Sequence, residues 1–203
     1  MNEQKALWNR LISGPRSDYM LRTAMWRVAR GLSTMSGQTI SYGSPQVDRV
    51  PITQVTTYAG GPEVERVGIY LVMNGGLRGQ ALLILSKTSA LRLVDLLMGD
   101  PPGTTTELGV VGRSALAEVG NLAVSAFLNT MAVHNPQASK LLRPSPPAVM
   151  VDMLGAILNV IVTPVAAVRD DLLIIDTNFG NIKKTVHGRF WIIPDPAIRD
   201  LAV

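Results

Sequence analysis

In the stretch "SALAEVGNLAVSAFLNT", residues 114–130, a glutamate and an asparagine stand three residues apart between two serines. At about 100° per residue, Glu118, Asn121 and Ser125 fall at about 40°, 340° and 20° from Ser114 on a helical wheel. The four make one narrow polar stripe. Leu116, Val119, Ala123, Val124, Phe127 and Met131 occupy the arc from about 140° to 280°, which predicts the core-facing side. A carboxylate and a carboxamide one turn apart can address a single ligand. Exposed Glu and Asn on a helix are ordinarily just solvated. Here, however, the stripe is flanked by Ala117, Gly120, Leu122 and Ala126 rather than by lysines, which leaves room for something to dock.

Other chemistries find little support. The chain has no cysteine, which excludes disulfides, thiolate metal sites and cysteine nucleophiles and fits a reducing compartment. His134 and His187 lie far apart without acidic companions at metal-ligand spacing. "NGGLRG", residues 74–79, joins two expected strands and leads into no helix, so it is not expected to cradle phosphate. No serine sits in a nucleophile elbow. Asp152 on an apolar strand could be a paired core carboxylate or a partner contact, and Asp170, Asp171 and Asp195 read as strand-end or turn residues. The net charge of +4 is too mild, and its arginines too scattered, for a nucleic-acid partner.

At 203 residues, 47% apolar and 17% charged, the chain is expected to fold around a substantial core. The first twenty residues lack the apolar stretch of a signal peptide. The greasiest run, "VMVDMLGAILNVIVTPVAAV", is broken by Asp152, Asn159 and Pro164, so no membrane span is expected and the cytoplasm is the expected location.

The elements that must hold the stripe read as follows. Helices are expected at 18–35, 89–99 and 113–131, the second capped by Ser89 and stopped by Gly99. Strand-like runs are expected at 48–57, 66–73, 80–86, 148–153, 171–178 and 186–193, with 74–79 as a hairpin turn and 100–107 as a linker. Helix, Pro-bounded strand and hairpin thus occur twice. "GSPQVDRVPI" and "LRPSPPAVMV" superpose at an offset of 99 (Pro45 on Pro144), and "GQALLIL" and "GRFWIIP" at 109, leaving about ten extra residues in the second copy. We expect one α+β domain over 1–203, with repeats at about 15–100 and 107–203 around a pseudo-two-fold axis, a largely antiparallel sheet and two long helices.

Ser114, Glu118, Asn121 and Pro144, with 22 residues between the last two, resemble the signature of the CheC/CheX/FliY family of chemotaxis phosphatases, of the CheC type. "PSPPAVMVDMLGAILN", "SALRLVDLLMGDPPGTTTELG" and "GRFWIIPDP" are similar to the family's segments after the second site, between the halves and at the last strand. The extra C-terminal domain of FliY or FliM is not expected here.

The resemblance implies hydrolysis of the aspartyl phosphate on a CheY-type response regulator. Such an acyl phosphate is already activated, so catalysis needs mainly an in-line water and charge screening. It implies that Asn121 orients the water and Glu118 engages the regulator's active-site lysine, with Ser114 and Pro144 shaping the site. Mg²⁺ would come with the regulator, the chain holding no metal or cofactor of its own. At the offset of 99, Tyr19 and Arg22 replace Glu118 and Asn121 in the first copy. An arginine accepts no hydrogen bond and a tyrosine carries no charge at neutral pH, so that site should be dead. Arg22, Arg27 and Arg30 around Trp26 read as a solvated face or as a patch for an acidic partner. The alternative function is a non-catalytic adaptor for CheY or for the receptor deamidase CheD.

Overall fold

Strands β4 (Gly79–Ser86) and β8 (His187–Pro194) carry the continuous apolar runs ALLIL and FWIIP because the sheet is covered on both faces there. In the computed structural model, which describes residues 3–134, 142–198 and 201, side chains of β4 alternate between two cores. Ala81, Leu83 and Leu85 enter the larger core, while Leu82 and Ile84 enter the smaller. Phe190 and Ile192 of β8 join the first, Trp191 and Ile193 the second.

The sheet runs β1 (Ile40–Tyr42), β7 (Asp171–Asn181), β8, β4, β3 (Glu65–Asn74) and β5 (Arg143–Pro144), with every pairing antiparallel. β2 (Gln46–Pro51) continues along β7 beyond β1. β6 (Ala148–Met153) does the same along β3 beyond β5. Helices α1 (Glu3–Ile12), α2 (Ser17–Ser36), α4 (Lys87–Met98) and α5 (Val110–His134) pack on one face. The short α3 (Val55–Ala59) and α6 (Leu154–Ala166) pack on the other. The expected α+β class, mostly antiparallel sheet and two long helices, are all present.

Several boundaries differ from the sequence reading. The strand expected at 48–57 ends at Pro51 and gives way to a 3₁₀ turn and α3. Gly60 and Gly61, at φ 118° and 103°, then turn the chain back. The cap of α4 is Ser86, whose hydroxyl accepts the Ser89 amide at 3.1 Å, so Ser89 is already helical. Gly99 closes that helix at φ 74°, as expected. α1 and α6 were not expected. Trp8 anchors α1, its indole N–H donating to the Arg78 carbonyl at 3.1 Å on the β3–β4 hairpin. In α6, Leu154, Ile157, Leu158, Ile161 and Val165 fall on one face and bury it.

The two halves repeat in detail. Met20, Leu21, Ala24, Met25, Val28, Ala29 and Leu32 are buried in α2, and the residues 99 further on are all buried in α5. On the strands the offset is larger. The amide of Ile52 donates to Asp170 O and that of Leu154 to Val64 O; Gly43 donates to Asn178 O and Ser145 to Val72 O. Both 154 − 52 and 145 − 43 give 102. The second half therefore holds three extra residues between helix and strand, and the superposition of Pro45 on Pro144 is corrected. Pro147 is the counterpart of Pro45, and Pro144, paired with Met73, is that of Tyr42, paired with Phe179. At the hairpins the 109 offset holds: a Cβ on Gly79 would run into the Ile193 carbonyl oxygen, and one on Gly188 would meet that of Ile84 at 2.7 Å. Only glycine lets these central strands approach so closely.

Candidate functional site

The apolar arc of α5 rests on β3 and α2, with Leu116, Val119, Ala123, Val124, Phe127 and Met131 all buried. Contact is closest at Gly120, where a Cβ would sit 2.5 Å from Ile69 Cγ2 and 3.1 Å from Leu71 Cδ1. The helix is therefore seated tightly on the sheet one residue before Asn121, and the opposite stripe is turned outward. Ser114 and Glu118 are exposed, Asn121 and Ser125 half-buried. None of their side chains has a hydrogen-bond or ion-pair partner among the described residues. A carboxylate and a carboxamide, free of internal partners and one turn apart on a fixed helix, are ready to bind from outside.

In the first half, Tyr19 is 64% exposed, and Arg22 grips Asp18 with its Nε 2.8 Å from both carboxylate oxygens. Arg30 lies over the half-exposed Trp26 at 5.4 Å. The matching burial patterns of α2 and α5 put Tyr19 and Arg22 at the helix positions of Glu118 and Asn121. Pro144 is half-buried in β5, which packs beside α5.

His134 is exposed at the end of α5, and the other polar candidates have structural partners. His187 Nδ1 lies 3.3 Å from Ser89 Oγ, and the Asp152 carboxylate accepts the Met153 amide at 2.7 Å. Asp170 caps the approach of β2 through its carbonyl, and Asp195 accepts the Ala197 amide and pairs with Arg78. Among the described residues no group of three His, Asp or Glu side chains could hold a metal ion. By length and composition α5 could cross a membrane, but half of its most apolar stretch is buried within the fold.

Two polar clusters were missed from the sequence. Asp95, buried in α4, accepts the Gly103 amide at 2.6 Å and the Thr105 amide at 2.7 Å, with Arg92 at 3.6 Å. Burial pushes its pKa up, but hydrogen bonds from Thr105 and Gly103 and the Arg92 charge outweigh it and hold the carboxyl below its ordinary value. On the far side of the sheet, Arg189 pairs with Asp176 and stacks on Tyr58 and Trp191. The Tyr58 hydroxyl lies 2.7 Å from Asp48 and 2.9 Å from Asp176. Burial, then the Asp48 hydrogen bond and the Asp176 charge, raise the Tyr58 pKa, so the phenol stays protonated. The second cluster joins residues distant in the chain, so no local spacing announces it, whereas the first ties α4 to the segment eight to ten residues further on.

No family model matches the chain. It is 25% identical over 172 residues to the CheY-P phosphatase CheC of Bacillus subtilis, covering 82% of this chain and 80% of that one. The structure of Thermotoga maritima FliY superposes with a TM-score of 0.68 at 21% identity, over 89% of this chain and 88% of the other. The middle domain of FliM from Vibrio alginolyticus superposes with a TM-score of 0.55 at 13% identity, over 90% and 99%. At those identities the two structures are evidence of a shared fold, and the likeness to CheC extends through both halves.

Proposed function

We infer from the likeness to CheC through both halves, and from the fold shared with FliY, that the Glu118–Asn121 face hydrolyses the aspartyl phosphate of a CheY-type response regulator in the cytoplasm. The observation that carries this reading is the outward-facing pair on α5, exposed Glu118 and half-buried Asn121, with no side-chain partner for either among the described residues. The regulator brings its own Mg²⁺ and the acyl phosphate. Glu118 pairs with the lysine of the regulator's active site and sets the docking register. The Asn121 carboxamide enters beside the phosphoryl group, accepts one hydrogen bond from a water and holds it in line with phosphorus. The water's oxygen forms the new P–O bond as the bond to the aspartyl oxygen breaks, giving inorganic phosphate and the free carboxylate. Ser114 and Pro144 shape the edge of the site.

A second reading, an adaptor that binds CheY or CheD without turnover, draws on the first half. Tyr19 and Arg22 at the equivalent helix positions can bind, but Arg22 offers a water no acceptor where Asn121 does, and the same fold serves in FliM. The experiment is the decay of phosphorylated CheY-type regulator in Mg²⁺ with wild-type protein and with Asn121→Ala. The proposal expects faster decay that disappears in the variant, while regulator binding largely survives. Decay no faster than that of the regulator alone would leave the adaptor reading in its place.

A further inference from the structure

Resting on the phosphatase reading above, we propose that Trp26, Arg27 and Arg30 on α2 form a second contact surface for the regulator docked on α5, holding acidic side chains at the rim of its phosphorylation pocket. The two helices meet at Gly31 and Leu122: a Cβ at Gly31 would lie 2.6 Å from Leu122 Cδ2. Leu122 follows Asn121 directly and lies one turn from Glu118. A groove lined by Trp26, Arg27, Arg30, Gly31 and Leu122 therefore runs from the α2 surface to the edge of the candidate site. A protein seated on Glu118 and Asn121 covers a patch far wider than two side chains, and the nearest neighbouring wall is this one.

Its chemistry favours an acidic occupant. α2 contains a single acidic residue, Asp18, and Arg22 occupies both of its oxygens. Arg27 and Arg30 have no carboxylate partner among the described residues. Arg30 is laid across the Trp26 ring, which limits its freedom before binding and so reduces the entropy lost on contact. Trp26 itself is 49% exposed, and a half-exposed tryptophan next to arginines is the composition of an interface anchor. A phosphorylation pocket built from metal-binding carboxylates and a phosphoryl group has the complementary sign.

The test uses the full chain and a CheY-type receiver domain phosphorylated with acetyl phosphate in Mg²⁺. Arg27→Glu/Arg30→Glu and, separately, Trp26→Ala are compared with Lys183→Glu/Lys184→Glu, a reversal of equal charge at two exposed turn residues that do not line the groove. For the arginine pair we expect KM to rise about tenfold or more with kcat changed less than about twofold, and a weaker dependence of KM on salt. Trp26→Ala should raise KM in the same direction, and the lysine control should leave it unchanged. An unaltered KM in the arginine variant, or an equal rise in the lysine control, would overturn the proposal. Affinity of each variant for the same receiver domain, measured in an Asn121→Ala background, separates the two ideas. Absence of wild-type hydrolysis refutes the phosphatase reading alone, and affinity then decides this one: about tenfold weaker binding sustains it, unchanged binding ends it.

Discussion

Asn121 and Arg22 occupy one helix position in two halves of the same fold, and the difference between them is a hydrogen-bond inventory. A carboxamide both donates and accepts, whereas a guanidinium only donates. Glu118 and Tyr19 differ similarly, by a charge. In the proposed reaction Glu118 faces a lysine, so Glu118→Lys brings two cations together in the contact and should abolish both hydrolysis and regulator binding. Glu118→Gln removes the charge without adding repulsion and should weaken binding by about tenfold while leaving some turnover. Titrating both variants against the phosphorylated receiver domain checks this, and full binding by Glu118→Lys would remove Glu118 from the site. The stripe itself was legible from the sequence because helical period places four residues without any tertiary information. The Tyr58–Asp176–Arg189 cluster was not, because three strands and a short helix must assemble before those groups meet. The equivalent place in the other half holds the neutral pair Tyr70 and Gln80, 3.0 Å apart, so repetition gave no warning of the charges either.

The connection between α4 and α5 decides where the candidate site sits, and it is tied down by one carboxylate. Asp95 satisfies the amides of Gly103 and Thr105 in the 100–107 segment that leads into α5. Replacing it with Ala takes that acceptor away from both amides and should cost about 1–3 kcal/mol, lowering the melting temperature by several degrees. Because the folded-state pKa of Asp95 is depressed, its contribution is complete above the unfolded value and is lost as pH falls through the folded one. The stability difference between wild type and Asp95→Ala should therefore be constant near neutrality and shrink below about pH 4. Denaturant unfolding at several pH values measures it, and a gap that did not shrink at all on acidification would mean Asp95 acts through something other than its charge. At this scale the sequence was an uneven guide. α2, α4 and α5 carry a clear period and were anticipated, but α6 hides its own because Val160 and Ala156 on the solvent side are as apolar as the buried face. The offset of 99 served for the helices, where burial repeats residue for residue, and failed on the strands. The extra residues lie between α5 and β5, where no recurring pattern counts them.

For the molecule as a whole, the halves are woven together rather than laid side by side. β1 and β2 of the first half pair with β7 of the second, β5 and β6 of the second pair with β3 of the first, and β4 meets β8 at the centre. A fragment ending at Thr106 would keep only the β3–β4 hairpin as a paired unit. It would leave β1 and β2 without a strand to join, and α2 without α5. A lone hairpin is marginal in water, and its unpaired edges invite aggregation. The same holds for a fragment from Glu107 onward, which keeps only β7–β8. We therefore expect the full chain to unfold in one cooperative transition, and fragments 1–106 and 107–203 to lack dispersed amide proton spectra when separate. Mixed in equimolar amounts from denaturant, they should recover the dispersed spectrum and, with it, whatever activity the Glu118–Asn121 face supplies. A dispersed spectrum from either fragment alone would show that the exchanged strands are dispensable and that the halves are independent units. The symmetry of the fold would then owe nothing to their pairing.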